Sequence, residues 1–99
     1  MYTGSILPKY RGASPIQQAV LNGDSKTGIT TMYMEEKMDT GNIIEQEEMA
    51  IERIDTSKTM FEKLAILGAK TLVSTLRKIE ENNGNIVSII QNDDDATYT

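Results

Sequence analysis

The sequence predicts an α+β fold in which a small antiparallel β-hairpin packs on one long amphipathic helix and a short helix. Three observations predict it: a helical period of apolar residues over 55–82, and two β-branched segments at 28–34 and 42–51. A polar, glycine-containing connection at 35–41 joins the two segments, so an antiparallel hairpin is the economical pairing. The 99 residues are enough for one domain with a modest core.

The chain opens with a stiff loop at 3–15. Pro8 and Pro15 fix their own φ and push the residue before each of them away from helical backbone. Ser14 is expected to be the N-cap of a short helix at 15–22, because Pro15 suits the first helical position. A rigid polar loop of this kind commonly lines a site.

The long helix carries the clearest periodic signal. Asp55 or Thr56 is expected to cap it, and an Asn-Asn-Gly sequence at 82–84 ends it. The tail at 85–99 is expected to return as a short strand or an extended run that leads into a linker. The predicted apolar stripe consists of Met60, Leu64, Leu67, Leu72, Leu76 and Ile79.

Composition excludes several classes of function. The net charge is −5 and there is no basic run, so the electrostatic footprint of a self-sufficient nucleic-acid binder is missing. There is no Cys, which excludes disulfides and thiolate metal sites, and no His, the commonest general base near neutral pH. No apolar run reaches the roughly 18 residues of a membrane span, and no signal peptide is evident, so a cytoplasmic protein is expected.

Two short motifs could carry chemistry. Asp39 stands at the expected turn between the strands, where Asp and Gly are ordinary turn residues, so on composition alone it supplies turn geometry. Lys9, Tyr10 and Arg11 form a basic and aromatic cluster. This cluster is either a solvated loop or a contact for phosphate or substrate, because guanidinium offers a bidentate fork and Tyr a stacking face.

Two further groups favour bland interpretations. The methionines are interpreted as core filler and the acidic residues of the second strand as a solvated face, because no His and no glycine-rich calcium loop accompanies them. No metal site is therefore expected. The methionines of this group are Met32, Met34, Met38, Met49 and Met60, and the acidic residues are Glu45, Glu47 and Glu48.

The loop at 5–17, Ser-Ile-Leu-Pro-Lys-Tyr-Arg-Gly-Ala-Ser-Pro-Ile-Gln, resembles the active-site loop of the methionyl-tRNA formyltransferases, a branch of the folate-dependent formyltransferase family. The similarity continues at the family's spacings through Asn-Gly-Asp at 22–24, Thr-Gly-Ile-Thr at 27–30, Met-Asp-Thr-Gly at 38–41, and Gln91 to Tyr98. It therefore covers nearly the whole chain.

The resemblance assigns Asp39 as the catalytic aspartate, which orients a neighbouring histidine and helps organise water for proton transfer. Alignment on Ser5 places Thr3 at the position of that histidine and Met1 at the position of the family's asparagine. A Thr hydroxyl can donate a hydrogen bond but cannot act as a base or cation near pH 7. The chain alone is therefore expected to be inactive.

The resemblance also implies substrates. The parent reaction transfers a formyl group from the co-substrate 10-formyltetrahydrofolate to the α-amine of methionyl-initiator-tRNA, and contact of this chain with tRNA is expected to be weak or absent. The 5–15 loop would form one wall of the site, and the 38–41 turn would touch the pterin side. The implied folate- or substrate-binding residues are Ser5, Leu7, Pro8, Lys9, Arg11, Gly12, Thr40 and Gly41.

The family's parallel βαβ half and its C-terminal barrel have no counterpart in this sequence. We therefore expect the second half of a formyltransferase catalytic domain, either a fragment or a truncated relative. Without the parallel strands, a sheet edge and the stripe on helix 55–82 would be uncovered, so a non-catalytic module forming a homodimer or a domain-swapped oligomer is the alternative. A piece of a nucleotide-sugar formyltransferase is another; Thr40 and Tyr98 favour the tRNA enzyme, and the Arg11-Gly12 pair argues against the glycinamide ribonucleotide branch.

Overall fold

A three-stranded antiparallel sheet with two helices makes up the computed structural model, which describes residues 2–33, 39–84 and 86–99. The strand order within these residues is β1–β2–β3, and the predicted α+β class is confirmed. The elements are β1 (Tyr2–Thr3), α1 (Pro15–Leu21), β2 (Lys26–Met32), β3 (Ile43–Ala50), α2 (Ser57–Glu81) and a 3₁₀ turn (Asp93–Asp95).

The predicted hairpin is present as β2 and β3. They pair antiparallel from Lys26 opposite Ala50 to Met32 opposite Ile43, with an irregularity after Thr31. Strand β2 begins two residues before the predicted 28–34, and the end of that prediction, position 34, lies outside the described residues. The two-residue edge strand β1, which pairs with β2, was not predicted, because two residues are too few to show a period of two.

Strand β2 is buried on both faces because it lies between α2 and the 5–8 loop. On the α2 side, Ile29 packs in a cluster with Met60 and Leu64. On the loop side, Met32 packs with Leu7 and Ile43. A central strand covered on both sides explains why the segment alternates poorly between apolar and polar residues.

The methionine prediction is confirmed where the structure describes these residues. Met32 and Met60 are buried, and Met49 packs partly buried against the Ile29 cluster. Met34 and Met38 lie outside the described residues.

Helix α1 begins at Pro15 as predicted and ends at Leu21, one residue before the predicted end. Ser14 occupies the N-cap position, but its side chain makes no capping hydrogen bond. Its backbone carbonyl accepts from the amide of Gln18 at 3.1 Å. The helix stops at Asn22, and Gly23 follows with φ of 70°.

Helix α2 begins at Ser57 with Thr56 as its N-cap, so Thr56 rather than Asp55 fills that position. Thr56 and Thr59 form a reciprocal capping box, in which each side chain accepts from the other residue's backbone amide. Asp55 acts beside the cap: its carboxylate accepts from the Thr59 hydroxyl at 2.9 Å and from Lys63 Nζ at 2.8 Å.

The predicted apolar stripe of α2 is correct in its first half and only partly correct in its second, where Leu72 and Ile79 are half-buried. Met60 and Leu64 are buried, but Leu76 is 48% exposed. The buried face continues through Gly68, Thr71 and Thr75 instead. Two contacts redirect it: the Tyr2 ring packs against Gly68, and Thr75 joins a polar network with strand residues. The large apolar residues of the helix that are exposed are Phe61, Ile66, Val73 and Leu76.

Glu45 corrects the prediction of a solvated acidic face on β3. Glu47 and Glu48 are exposed as predicted, whereas the side chain of Glu45 is only 11% exposed. Its carboxylate accepts from the hydroxyls of Ser74 at 2.9 Å and Thr75 at 2.8 Å, and Lys78 lies 3.2 Å away. The carboxylate therefore attaches the hairpin to α2.

The described part of the tail, 86–99, forms no regular strand, so of the two expected forms the short strand is not present there. Ile89 makes an isolated antiparallel bridge to Ile43, with paired hydrogen bonds of 2.7 and 2.8 Å. Tyr98 makes an isolated parallel bridge to Arg11. None of the described helices is long and apolar enough to span a membrane.

Candidate active site

The carboxylate of Asp39 is held against the backbone of the 5–15 loop. Asp39 lies in the turn before β3, with left-handed backbone at φ of 60°. Its Oδ2 accepts a hydrogen bond from the backbone amide of Gly12 at 2.9 Å. Asp tolerates left-handed backbone better than most residues. Asp39 therefore suits the geometry of this turn and also brings a carboxylate to it.

Gln91 lies on the other side of this turn and is 8% exposed. Its Nε2 donates to the carbonyl oxygens of Asp39 at 2.9 Å and Gly41 at 2.7 Å. Its Oε1 accepts from Nε and Nη2 of Arg11 at 3.2 and 3.1 Å. One amide therefore connects the Asp39 turn with the 5–15 loop.

Arg11 is buried inside this arrangement, which corrects the expectation that it offers a fork to phosphate or substrate. Its side chain is 2% exposed and also donates to Asp93 at 2.8 Å and to the Tyr98 hydroxyl at 3.1 Å. Burial alone would lower the pKa of Arg11, but its hydrogen bonds to Asp93 and Tyr98 raise it above the usual value. The guanidinium fastens the loop to the tail.

The backbone of 97–99 runs beside the loop and holds it in place. The Arg11 amide donates to the carbonyl of Thr97 at 2.8 Å, and the Thr99 amide donates to the carbonyl of Arg11 at 2.9 Å. The Thr97 amide donates to the carbonyl of Pro8 at 3.1 Å. These hydrogen bonds fix the loop between its two prolines.

Thr3 lies on the edge strand β1, opposite Thr30, and is 9% exposed. Together with Gly12 and Phe61 it lines a cavity of about 340 Å³. Within the described residues, no hydrogen bond joins Thr3 to Asp39. The position that resembles the family's histidine is thus close to the loop but is not connected to the carboxylate.

Two of the implied ligand-binding residues are core residues. Ser5 is 1% exposed and Leu7 is 3% exposed, so both residues are buried in this structure. Thr30 holds their backbone: its hydroxyl donates to the Ser5 carbonyl at 2.7 Å and accepts from the Leu7 amide at 3.2 Å. The Ser5 hydroxyl itself is buried with no hydrogen-bond partner in the described part of the chain.

Pro8 and Lys9 face a larger cavity of about 1100 Å³ on another side of the loop. Tyr10 also lines this cavity, with left-handed backbone at φ of 57°. The Tyr10 hydroxyl donates to Asp24, and this hydrogen bond raises the pKa of Tyr10. The structure therefore brings Gly12, Asp39 and Gly41 together and directs Pro8 and Lys9 to a separate cavity.

Sequence reasoning missed the role of Gln91. The residue belonged to the quoted similarity, but nothing about an isolated Gln predicts that it bridges two loops. One signal was available: a buried Arg needs acceptors, and the tail supplies an amide and a run of aspartates. In the described residues, no group of three or more His, Cys, Asp or Glu is placed to hold a metal ion.

Comparison with known proteins decides the family. The model of the formyl transferase family matches residues 2–76. The chain belongs to the formyl transferase family. The family match includes β1, the 5–15 loop and the Asp39 turn, and it ends within α2.

Curated formyltransferases resemble nearly the whole chain. The methionyl-tRNA formyltransferase of Ligilactobacillus salivarius is 45% identical over 96 residues, which are 97% of this chain and 30% of that protein. The methionyl-tRNA formyltransferase of Halothermothrix orenii is 51% identical over 94 residues, 95% of this chain and 29% of that protein. The chain thus spans about 30% of the length of these relatives.

Solved formyltransferase structures share the fold. The sugar 3N-formyltransferase WlaRD, crystallised with dTDP and 5-N-formyl-THF, superposes with a TM-score of 0.90 at 26% identity, covering 99% of this chain and 35% of that one. PseJ from Anoxybacillus kamchatkensis gives 0.86 at 30% identity, covering 99% and 50%. Phosphoribosylglycinamide formyltransferase from Bacillus halodurans gives 0.75 at 37% identity, covering 79% and 40%. The small sheet with its two helices is therefore part of a formyltransferase domain.

Proposed function

We propose that this chain carries the Asp39 wall of a methionyl-tRNA formyltransferase site. The parent reaction transfers a formyl group from 10-formyltetrahydrofolate to the α-amine of methionyl-initiator-tRNA. The observation that carries the proposal is the Asp39 carboxylate held on the Gly12 amide, in a chain 45–51% identical to methionyl-tRNA formyltransferases over at least 94 residues.

Asp39 has the chemistry that the role requires. An ionised carboxylate is an acceptor with several lone-pair sites, and the Gly12 amide occupies one of them. The remaining sites can orient a water molecule or the attacking amine and accept a proton from it. Thr40 and Gly41 belong to the same turn and are proposed to contact the pterin side of the folate.

We propose that the chain by itself does not catalyse the transfer. The reaction develops negative charge on the formyl oxygen, and each donor placed at such an oxyanion contributes about 10²–10³ in rate. Thr3, at the position of the family's histidine, is neutral and has no hydrogen bond to Asp39 in the described residues. Asp39 alone cannot supply both the proton transfer and the stabilisation of the oxyanion.

The direct test of the site is a titration of 5-formyltetrahydrofolate into the ¹⁵N-labelled chain, observed through backbone amides. Shifts confined to 5–15 and 39–41 would support the proposal. The matched variant is Asp39→Asn, which keeps the shape and the acceptor for Gly12 but removes the charge. A well-dispersed wild-type spectrum that does not change with folate would contradict the proposed site.

An assay of formyl transfer tests the inactivity and the substrate class together. The purified chain would be incubated with 10-formyltetrahydrofolate and either methionyl-initiator-tRNA or a dTDP-amino sugar. Formylation of the tRNA would refute the predicted inactivity. Formylation of the sugar would favour the nucleotide-sugar branch, in line with the similarity to WlaRD.

A second candidate is a non-catalytic module that associates with itself. The observation that favours it is the exposed apolar side of α2, where Phe61 is 52%, Ile66 63% and Leu76 48% exposed. Tyr2, on the edge strand beside this helix, is 46% exposed. Uncovered apolar faces and sheet edges of this kind commonly pair with another chain.

Sedimentation equilibrium of the wild type and of Ile66→Asp tests this candidate. Self-association through α2 predicts a dimer that the Asp substitution converts to a monomer with unchanged circular dichroism. The control is Glu62→Asp, an exposed substitution on the same helix. A folded wild-type monomer at all concentrations would exclude the association module.

A further inference from the structure

We propose that Gln91 is a positioning residue that holds the Asp39 carboxylate in place, and that the tail thereby determines how well the site is formed. The inference rests on the proposed function, because Asp39 is the reacting carboxylate of that proposal. Its evidence is a closed ring of contacts. Gln91 binds Asp39, Asp39 binds Gly12, Gly12 follows Arg11, and Arg11 binds Gln91.

The orientation of the Gln91 amide is fixed by its partners. Arginine can only donate, so the atom facing Arg11 is the oxygen; backbone carbonyls can only accept, so the NH₂ group faces Asp39 and Gly41. Neither end could be exchanged without placing donor against donor and acceptor against acceptor. The amide therefore matches the two loops in one way only.

Burial makes these hydrogen bonds matter. Gln91 is 8% exposed and Arg11 is 2% exposed, and Gly41 is buried. If the NH₂ group were removed, the carbonyl oxygen of Gly41 would lose a partner in a place from which water is largely excluded, and a buried unsatisfied acceptor is costly. The turn would then have to open toward solvent.

An opening of the turn would move Asp39 first. Its backbone is left-handed, a conformation that surrounding contacts must maintain in a residue other than glycine. Gln91 holds the carbonyl of Asp39 itself and that of Gly41, two residues later. Loss of these two anchors releases the carboxylate from the Gly12 amide.

The sharpest variant is Gln91→Glu. A glutamate keeps the length of the side chain and its acceptors for Arg11, but it has no N–H to donate to the turn. The variant therefore removes the hydrogen bonds from residue 91 to the Asp39 turn but keeps those that it accepts from Arg11. Gln91→Ala removes the hydrogen bonds to both loops, Asp39→Ala gives the exchange rate without the carboxylate, and Glu80→Ala is the control, an exposed residue in the last turn of α2.

Hydrogen exchange of single amides in the 99-residue chain is the first readout. In Gln91→Glu, the Gly12 amide is expected to exchange about tenfold faster, close to its rate in Asp39→Ala, since one hydrogen bond is lost. The Arg11 amide, which donates to Thr97, is expected to remain protected. Unchanged protection of Gly12 in Gln91→Glu, or equal loss of protection at Gly12 and Arg11, would overturn the positioning role.

Folate binding is the second readout and separates this inference from the proposed function. With 5-formyltetrahydrofolate as the probe, Gln91→Glu is expected to raise Kd about three- to tenfold, and Glu80→Ala to leave it unchanged. If the wild type binds folate and Gln91→Glu binds it with the same Kd, the inference is overturned and the proposed function stands. If 5-formyltetrahydrofolate does not bind to the wild type, the proposed function and the inference that rests on it are both overturned. This holds even when hydrogen exchange confirms the ring of contacts.

Discussion

Asp39 Oδ2 and the backbone nitrogen of Gly12 lie 2.9 Å apart, and both residues have positive φ, 60° and 125° respectively. A carboxylate on one irregular turn is thus bound to a glycine on another. The geometry of each loop depends on contacts with its neighbours, so substitutions here test the site and the fold together.

Gly12→Ala is expected to reduce the free energy of unfolding by about 1–3 kcal/mol, because a side chain at this φ is strained. A Cβ at Gly12 would also lie 2.6 Å from Thr99 Oγ1. Urea denaturation measures the loss. Gly23→Ala is the matched control, with positive φ and nothing within 4 Å of the added Cβ. An equal loss in the two variants would show that the contact with Thr99 is unimportant.

Asp39→Ala and Asp39→Asn separate the effect of losing the hydrogen-bond acceptor from the effect of losing the charge. Alanine removes the acceptor for Gly12 and disfavours the left-handed backbone, so a loss of about 1–2 kcal/mol is expected in denaturant titrations. Asparagine keeps the acceptor and tolerates the backbone, so its stability should stay close to that of the wild type. An asparagine variant as unstable as the alanine variant would show that the charge itself holds the turn.

Gly28→Ala is expected to be among the most damaging substitutions in the hairpin. An added Cβ would lie 2.1 Å from the carbonyl oxygen of Glu47 and 2.4 Å from Ile6 Cδ1. Backbone of the paired strand cannot move aside without breaking the ladder, so a loss of about 3 kcal/mol is expected from overpacking. The melting temperature reports the effect.

The control for Gly28→Ala is Gly68→Ala in α2. There the added Cβ meets the Tyr2 ring at 2.9 Å, and Tyr2 is 46% exposed and free to turn outward. Alanine also favours the helix over glycine by about 1 kcal/mol. A similar fall in melting temperature for both variants would contradict the account of Gly28.

Glu45 predicts a specific dependence of stability on pH. Burial alone would raise the pKa of Glu45, but hydrogen bonds from Thr75, Ser74 and Lys78 leave it below the usual value. The contribution of Glu45 to the free energy of unfolding is therefore complete above its pKa in the unfolded chain. It is lost as pH falls through the lower pKa that Glu45 has in the folded chain. Stability should decline below about pH 5.

Glu45→Gln is expected to cost about 1–2 kcal/mol at pH 7, from the charged hydrogen bonds, and to flatten the acid decline. Asp55, whose pKa is lowered by Lys63, retains its own part of that decline in both proteins. Glu47→Gln, on an exposed position of the same strand, is the control. An acid profile of Glu45→Gln identical to that of the wild type would refute the role of Glu45.

The elements that were predictable carry local signals. Pro15 fixed the start of α1, and the β-branched residues of β2 and β3 identified the hairpin. The C-terminal half of α2 was not predictable, because its buried side chains are Thr71 and Thr75. From sequence alone, a threonine on a helix is expected to face solvent. It is buried only when the fold brings it a hydrogen-bond partner such as Glu45.

The residues of the candidate site also fall into a predictable group and an unpredictable group. Asp39 and Gly12 were found from sequence similarity, which preserves the spacing of a turn and of a loop. The ring through Gln91 and Arg11 was not, because its members are 80 residues apart and are joined by side chains. Long-range hydrogen bonds leave no period in a sequence, and only the fold brings their donors and acceptors together.

The layer between β2 and α2 has a thermodynamic consequence. Thr31 and Thr75 share a hydrogen bond of 2.7 Å at zero exposure, where another domain would place two aliphatic side chains. Exposing apolar surface raises the heat capacity of the unfolded chain and exposing polar surface lowers it. Unfolding of this protein should therefore have a small heat-capacity increment for its length, giving a flat stability curve that changes little on cooling.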